Sequence, residues 1–408
     1  MRLIVSGGGT GGHVYPILTT VEALHAACER PATPAAAAET SLSVHPSNPP
    51  VPEQPATPAA AARAGQSPLA ICYAGTTDGI EATMAANAGI DFVAISAGQL
   101  RIRNPLQLAR NSLRLARGAW QARRLLHDWR PDVVFVTGGY VCAPLVWAAH
   151  RQRLPILIYL PDVTPGLAVQ RLAGYATQIA VSFAETTAFF PGKAIVTGYP
   201  VRRQLRRRSL SKEEARQRFD LDPTQPTLLI FGGSRGSRSI NQATASVLPD
   251  LLALAQVIHI TGEVDREAAQ RRVAGLGSEQ SRRYRSFPYL HEEMTAALCA
   301  ADLAITRAGA STLGEFPALG LPAILVPLPI SGQHQLPNAR YLADRDAAIV
   351  IDDADLPGQL LPTVRELFDH PDRLHALGQA SAALARPDAA DRLADALIAL
   401  AKTTTRPP

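Results

Sequence analysis

Gly232-Gly233-Ser234-Arg235-Gly236-Ser237 is the stretch that decides how this chain folds. The strand-like run Thr227-Leu228-Leu229-Ile230-Phe231 leads into it, and a helix-like segment leaves it from about Ser237. A strand that feeds a glycine turn into a helix N-terminus makes an anion site. Free N–H groups converge there and the helix dipole favours negative charge. The device recurs at Arg307-Ala308-Gly309-Ala310-Ser311-Thr312-Leu313-Gly314-Glu315, after the strand-like Leu303-Ala304-Ile305-Thr306. Either turn alone reads as an ordinary tight turn. Two in one half of a protein point to a diphosphate between them, with Glu315 placed to meet a ribose diol from the second helix's first turns.

Working outward, 408 residues predict two domains, each large enough for its own core. With 47% hydrophobic and 18% charged residues, the composition is that of an ordinary α/β protein. The formal net charge of +5 is modest, so where the basic residues cluster matters more than their total. Cys28, Cys72, Cys142 and Cys299 are far apart and form no CxxC, which argues against a zinc site or a disulfide frame. Met1–Ser6 runs straight into glycines, unlike a signal peptide. No apolar run is long enough for a transmembrane helix, so any membrane contact is expected to be peripheral.

The front half opens with Leu3-Ile4-Val5, then Gly7-Gly8-Gly9-Thr10-Gly11-Gly12-His13 and a helical pattern through about Cys28. The glycines satisfy GxGxxG literally. However, the acid expected after the second strand is missing, and His13-Val14 stands where a P-loop needs Lys-Ser/Thr. What remains is a permissive loop with a histidine at its lip. Residues 31–62 hold eight prolines and ten alanines without apolar period, and read as a disordered insertion. Strand signals then alternate with helices: Ala70–Ala74, Phe92–Ile95, Asp132–Val136 (closed by Gly138-Gly139-Tyr140) and Ile156–Tyr159 (ending at Pro161-Asp162). That cadence predicts parallel βαβ units with ligands at the carboxyl ends of the strands.

A long helix over Leu100–Arg130 mixes leucines and Trp120 with Arg101, Arg103, Arg110, Arg114, Arg117, Arg123 and Arg124. It is almost free of acid before Asp128. A charge run is usually a solvated face, but arginines beside exposed apolar residues also suit an anionic membrane surface. No nucleic-acid-binding motif is present. Gly198-Tyr199-Pro200-Val201-Arg202-Arg203 reads as a hinge. Beyond it a second alternation runs through Leu228–Phe231, Val257–Ile260, Arg283–Phe287, Leu303–Thr306, Ala323–Val326 and Ala348–Ile351, with a helical tail from about Leu356 to Lys402. The expected architecture is two doubly wound, Rossmann-like α/β domains facing a central cleft. Residues 1–199 form the first and 200–385 the second, with a helix and tail at 386–408 packing back on the first.

Gly7–His13, Gly138-Gly139-Tyr140, Gly198–Arg202, Gly232–Gly236, Arg307–Glu315 and Gln333–Asn338, in that order, resemble the N-acetylglucosaminyltransferases of peptidoglycan synthesis. The likeness covers nearly the whole chain outside residues 31–62. It implies a GT-B fold and inverting transfer of GlcNAc from UDP-GlcNAc onto undecaprenyl-pyrophosphoryl-MurNAc-pentapeptide, at the cytoplasmic face of the cell membrane. Carried over by position, Ser234 and its neighbours cradle the diphosphate, and Arg202 neutralises phosphate. Arg307 lines the donor pocket beside Ala310, Ser311 and Thr312, Glu315 takes the ribose, and Leu290 packs near uracil. Gln335 and Asn338 read GlcNAc hydroxyls with His334 beside them. Thr10, Gly11 and Gly12 line the substrate site, with His13 and Tyr140 on the acceptor side. UDP leaves readily once helix N-termini and arginines meet its charge, so the scheme admits a divalent metal without requiring one.

One departure stands out. The family usually carries His-Glu-Gln-Asn where this chain has Tyr159-Leu160-Pro161-Asp162. His13 is therefore expected to be the base or its positioning partner, with Asp162 as a substitute. The alternative is that Asp162 only caps the next helix near Thr164-Pro165. Two other readings remain: a related UDP-sugar transferase with another lipid acceptor, and a non-catalytic UDP-sugar or lipid sensor.

Overall fold

The computed structural model describes residues 1–8, 11–29, 69–77, 79–98, 105–207, 209–233, 236–329 and 335–403. The expected insertion at 31–62 lies outside these, as do Thr10, Ser234 and His334. Two wholly parallel sheets organise the chain. The front sheet holds β1 (Arg2–Ser6), β2 (Ala70–Gly75), β3 (Asp91–Ala94), β4 (Val133–Val136), β5 (Ile156–Leu160), β6 (Gln178–Val181) and β7 (Ala194–Val196), in the order β3-β2-β1-β4-β5-β6-β7. The rear sheet holds β8 (Thr227–Phe231), β9 (Gln256–Ile260), β10 (Tyr284–Phe287), β11 (Leu303–Thr306), β12 (Ala323–Leu325) and β13 (Ile349–Val350), in the order β10-β9-β8-β11-β12-β13. Central strands such as β4 and β5 are buried along their whole length. A sheet covered by helices on both faces needs unbroken apolar runs of that kind.

Each sheet reverses its strand order once, between β1 and β4 in front and between β8 and β11 behind. Ser6 is level with Val136 in the first pair and Phe231 with Thr306 in the second. The glycine turns follow these four residues. The topology therefore puts all of them at the two crevices where doubly wound sheets bind ligands.

The chain crosses between domains twice. At the first crossing Tyr199 packs directly on Gly314, where an added Cβ would come within 2.3 Å of the ring. Tyr199 and Val201 join the rear core. At the second crossing the helix Ala389–Lys402 returns to the front domain and packs on the helix Gly11–Glu29. Leu393 and Leu397 enter the front core beside Ile17 and Leu24. Gly198, with φ +89, lets the crossings touch, since a Cβ there would lie 2.8 Å from that of Arg386.

Two strands, β6 and β7, were not apparent in the sequence. The long basic helix runs Pro105–Trp129. Proline suits its first position because the missing N–H is one that no intrahelical acceptor would have used.

Candidate active site

In the front crevice, a Cβ at Gly7 would sit 2.1 Å from Thr137 Oγ1, so only glycine lets the loop after β1 lie against the end of β4. Gly11 and Gly12 open the helix that carries His13. Thr137 clamps this histidine twice. Its hydroxyl donates to the His13 carbonyl at 2.7 Å, and its own carbonyl lies 2.8 Å from His13 Nδ1. A carbonyl only accepts, so Nδ1 carries a proton, and in the neutral tautomer Nε2 is the nitrogen that keeps the lone pair. Gly138 and Gly139, at φ +101 and +86, carry the chain past the ring, a path that favours glycine. Tyr140 follows, 37% exposed.

The rear crevice is built from backbone. A Cβ at Gly232 would lie 2.1 Å from the Ser237 nitrogen, and Gly233 and Gly236 have positive φ. Ser237 caps the helix Arg238–Ser246. In the second turn, the Thr312 hydroxyl donates to the Gly309 carbonyl at 2.7 Å. The helix Thr312–Leu319 then starts without a side-chain cap. The Ala310 and Ser311 amides find no acceptor among the described residues. Unsatisfied amides at a helix start are what an anion needs.

The two crevices meet at Arg202. Its guanidinium donates to Glu315 Oε1 at 2.9 Å and stacks over the Tyr15 ring at 4.9 Å. Burial alone would lower the Arg202 pKa, but Glu315 and Tyr15 outweigh it and the net shift is upward. Tyr15 lies on the same helix as His13, which places that histidine and the helix bearing Glu315 across one cleft. Among the described residues no group of three His, Cys, Asp or Glu is arranged to hold a metal.

Residues 227–393 match the glycosyltransferase family 28 C-terminal domain, and residues 59–181 match its N-terminal domain. The chain belongs to glycosyltransferase family 28. A relative from Desulforudis audaxviator is 38% identical over 418 residues, covering 100% of both chains. One from Roseiflexus sp. strain RS-1 is 38% identical over 97% of this chain and 94% of its own. Both are named UDP-N-acetylglucosamine–N-acetylmuramyl-(pentapeptide) pyrophosphoryl-undecaprenol N-acetylglucosamine transferase. The crystal structure of Acinetobacter baumannii MurG superposes with a TM-score of 0.68 at 22% identity, covering 98% of this chain and 99% of its own. A UDP-GlcNAc 2-epimerase from Neisseria meningitidis, bound to UDP-GlcNAc, gives 0.62 at 12% identity over 98% and 100%. These two likenesses establish the GT-B fold alone.

Within this family 28 frame, several expected residues have other partners. Arg307 is a buried strut whose guanidinium donates to Asp353, to the Ser239 hydroxyl at 2.7 Å and to the Val326 carbonyl, so it does not present an open cation to the donor. Asn338 is buried and its carboxamide is engaged at both ends. Oδ1 accepts from the Val163 N–H, and Nδ2 donates to Asp162 at 2.8 Å and to the Ala308 carbonyl. Asp162 therefore ties the domains together and caps no helix. The next helix, Leu167–Leu172, starts at Gly166 without a side-chain cap. Leu290 is in the rear core. Gln335 accepts from the Leu328 N–H at 2.9 Å, which leaves its NH2 for other acceptors.

Sequence reasoning passed over Tyr15 and Thr137. The signals were their positions, one two residues past His13 and the other just before Gly138-Gly139.

The helix Pro105–Trp129 packs on the helix Ala143–Arg151 and leaves a mixed face outside. Leu113, Arg117, Trp120 and Arg124 recur at helical spacing, so they share one face. Leu113 and Trp120 are 72% and 62% exposed. On the neighbouring helix, Arg151 stacks over Trp147 at 5.2 Å.

Proposed function

We propose that this chain moves GlcNAc from UDP-GlcNAc onto undecaprenyl-pyrophosphoryl-MurNAc-pentapeptide to form lipid II, inverting the anomeric carbon. The observation that carries the proposal is the end-to-end likeness to transferases of that name at up to 38% identity. The geometry supplies a mechanism. The acceptor hydroxyl gives its proton to Nε2 of His13 as its oxygen attacks the anomeric carbon. The bond from that carbon to the UDP oxygen breaks, and charge develops on the β-phosphate. The free amides of Ala310 and Ser311, the Gly232–Gly236 turn and Arg202 meet that charge. Fixed dipoles of this kind need no reorganisation during reaction. Glu315 turns from Arg202 to the ribose, Leu290 backs the uracil, and Gln335 offers its NH2 to a sugar hydroxyl. The scheme needs no obligatory metal, so a chelator should leave the rate unchanged.

The lipid acceptor explains the basic, aromatic face of Pro105–Trp129. We assign it to peripheral docking on an anionic membrane surface, at roughly 1 kcal/mol per basic residue near the surface. No described helix is long and apolar enough to cross a membrane. Transfer of radiolabelled GlcNAc into a lipid I analogue tests the whole reading. Wild-type chain should label the lipid, His13→Ala should not, and Asp162→Asn should retain activity. If His13→Ala stays active while Asp162→Asn fails, the base is Asp162. If the wild-type chain binds UDP-GlcNAc without any transfer, the enzyme reading falls and a sensor remains.

A further inference from the structure

A cavity of about 240 Å³ lies on the hinge side of the domain junction. Its walls come from three parts of the chain: Phe183 and Val196 of the front domain, Leu313 and Tyr341 of the rear, and Leu384 and Arg386 of the returning segment. None of Ala310, Ser311, Thr312 or Glu315 lines it. It lies on the Leu313 and Gly314 side of the helix Thr312–Leu319, away from those four residues, and falls below the usual range of small-molecule sites, about 300–1,000 Å³. A nucleotide sugar would not fit; a ligand of one or two fused rings would.

Its chemistry is specific. The Phe183 and Tyr341 rings meet at 4.3 Å between centroids, making an aromatic wall. Arg345 lies over Tyr341 at 3.9 Å and is neutralised by Glu185 at 2.5 Å. Arg386 is exposed and has no carboxylate partner among the described residues. A slot with an aromatic wall and one unneutralised guanidinium at its edge selects a flat ring carrying a carboxylate.

The cavity also adjoins the hinge. Tyr199 lines it, with its ring on Gly314 and its hydroxyl buried without a hydrogen-bond partner. In this domain arrangement the Asn338 carboxamide is taken up by Asp162 and Val163, and Glu315 by Arg202. We propose that the hinge cavity is a binding site for small aromatic carboxylates, and that its occupant, touching both domains, holds the arrangement in which Glu315 and Asn338 are unavailable to the donor. The cavity stands on its own geometry; the opposition to the donor rests on the transferase reading. Two ligands that favour different domain arrangements weaken each other by one common factor.

The test is calorimetric titration of the full chain with naphthalene-2-carboxylate. We expect saturable binding with one site per chain, weakened about fivefold or more by saturating UDP, and an equal loss of UDP affinity when the carboxylate is present. Val196→Trp, on a partly exposed edge strand, fills the cavity, and Arg386→Gln removes the free charge while keeping the Cβ and Cγ that pack at the crossing. Each should abolish carboxylate binding while the melting temperature stays near that of the parent. Lack of saturable binding, or binding that Val196→Trp leaves intact, overturns the site. Binding that UDP leaves unchanged overturns the coupling. No transfer is measured in these titrations. A chain inactive on the lipid I analogue would thus sink the transferase reading while leaving the carboxylate result to stand or fall separately.

Discussion

The front and rear crevices are both made of glycine turns at a reversal of strand order, yet they offer a ligand different things. The front one presents a side chain: His13, gripped through its carbonyl and its ring by a single threonine. The rear one presents bare backbone, with two amides and an uncapped helix start. A clamped imidazole is suited to moving a proton, and unsatisfied amides are suited to holding charge. On the proposed mechanism the same local architecture divides the work of one reaction, and the side chain or its absence decides which half a turn performs.

Four experiments would break or sharpen that contrast. The largest effect should come from His13→Ala. It should cost about a thousandfold in kcat, within the usual range for a lost general base, while UDP-GlcNAc affinity measured by calorimetry stays put. Loss of donor affinity in equal measure would erase the distinction between the crevices.

Next, Glu315→Gln leaves the Arg202 guanidinium without its carboxylate. The two side chains are only 13% and 9% exposed. Urea denaturation should show a loss of about 3 kcal/mol, typical of breaking a buried pair on one side. A change near zero would mean that solvent already screens the junction.

The third concerns acid. In the rear domain His259 is fully buried, bonded to Tyr284 and Asn241, and burial pushes its pKa down from 6.5 to about 3. The unfolded chain takes up that proton near pH 6.5 and the folded chain does not until about pH 3. Stability should therefore be complete above pH 6.5 and fall as the pH drops through that window, by up to about 1.4 kcal/mol per unit. Urea midpoints at pH 7 and pH 5 measure it, and His259→Gln should flatten the slope.

The smallest effect is the most diagnostic. Gly309 has open space where a Cβ would go and no positive φ. Gly309→Ala should leave the melting temperature unchanged and raise the donor KM about tenfold, a cost of about 1.4 kcal/mol. If neither quantity moves, no ligand approaches that turn.

Much of this was legible in the sequence, because strand, glycine and helix signals are local. Nearly every central strand lies within a residue or two of its expected bounds, and the glycine turns fall where the pattern put them. β6 and β7 lie outside the expected strands, and β7, three residues long and only partly buried, leaves little periodicity to read. Partnerships were the larger loss. Arg307 reads locally as a donor-pocket cation, but its guanidinium is paired with Asp353, 46 residues on. Asn338 looked like a sugar reader, but its partner Asp162 lies 176 residues away in the other domain. Local propensity identifies such groups, and tertiary packing decides whether they face a ligand or each other.

The returning helix Ala389–Lys402 bears on how this protein is made. The front lobe, first to leave the ribosome, lacks Leu393 and Leu397 until the whole rear sheet has followed it, and each buried leucine is worth about 1.5–3 kcal/mol. Nascent lobes ordinarily mature in the order of their synthesis. Here the earlier lobe stays incomplete until the later one has been made and this helix has packed back onto it, so the front half expressed without that strap should be less stable than it is in the whole chain.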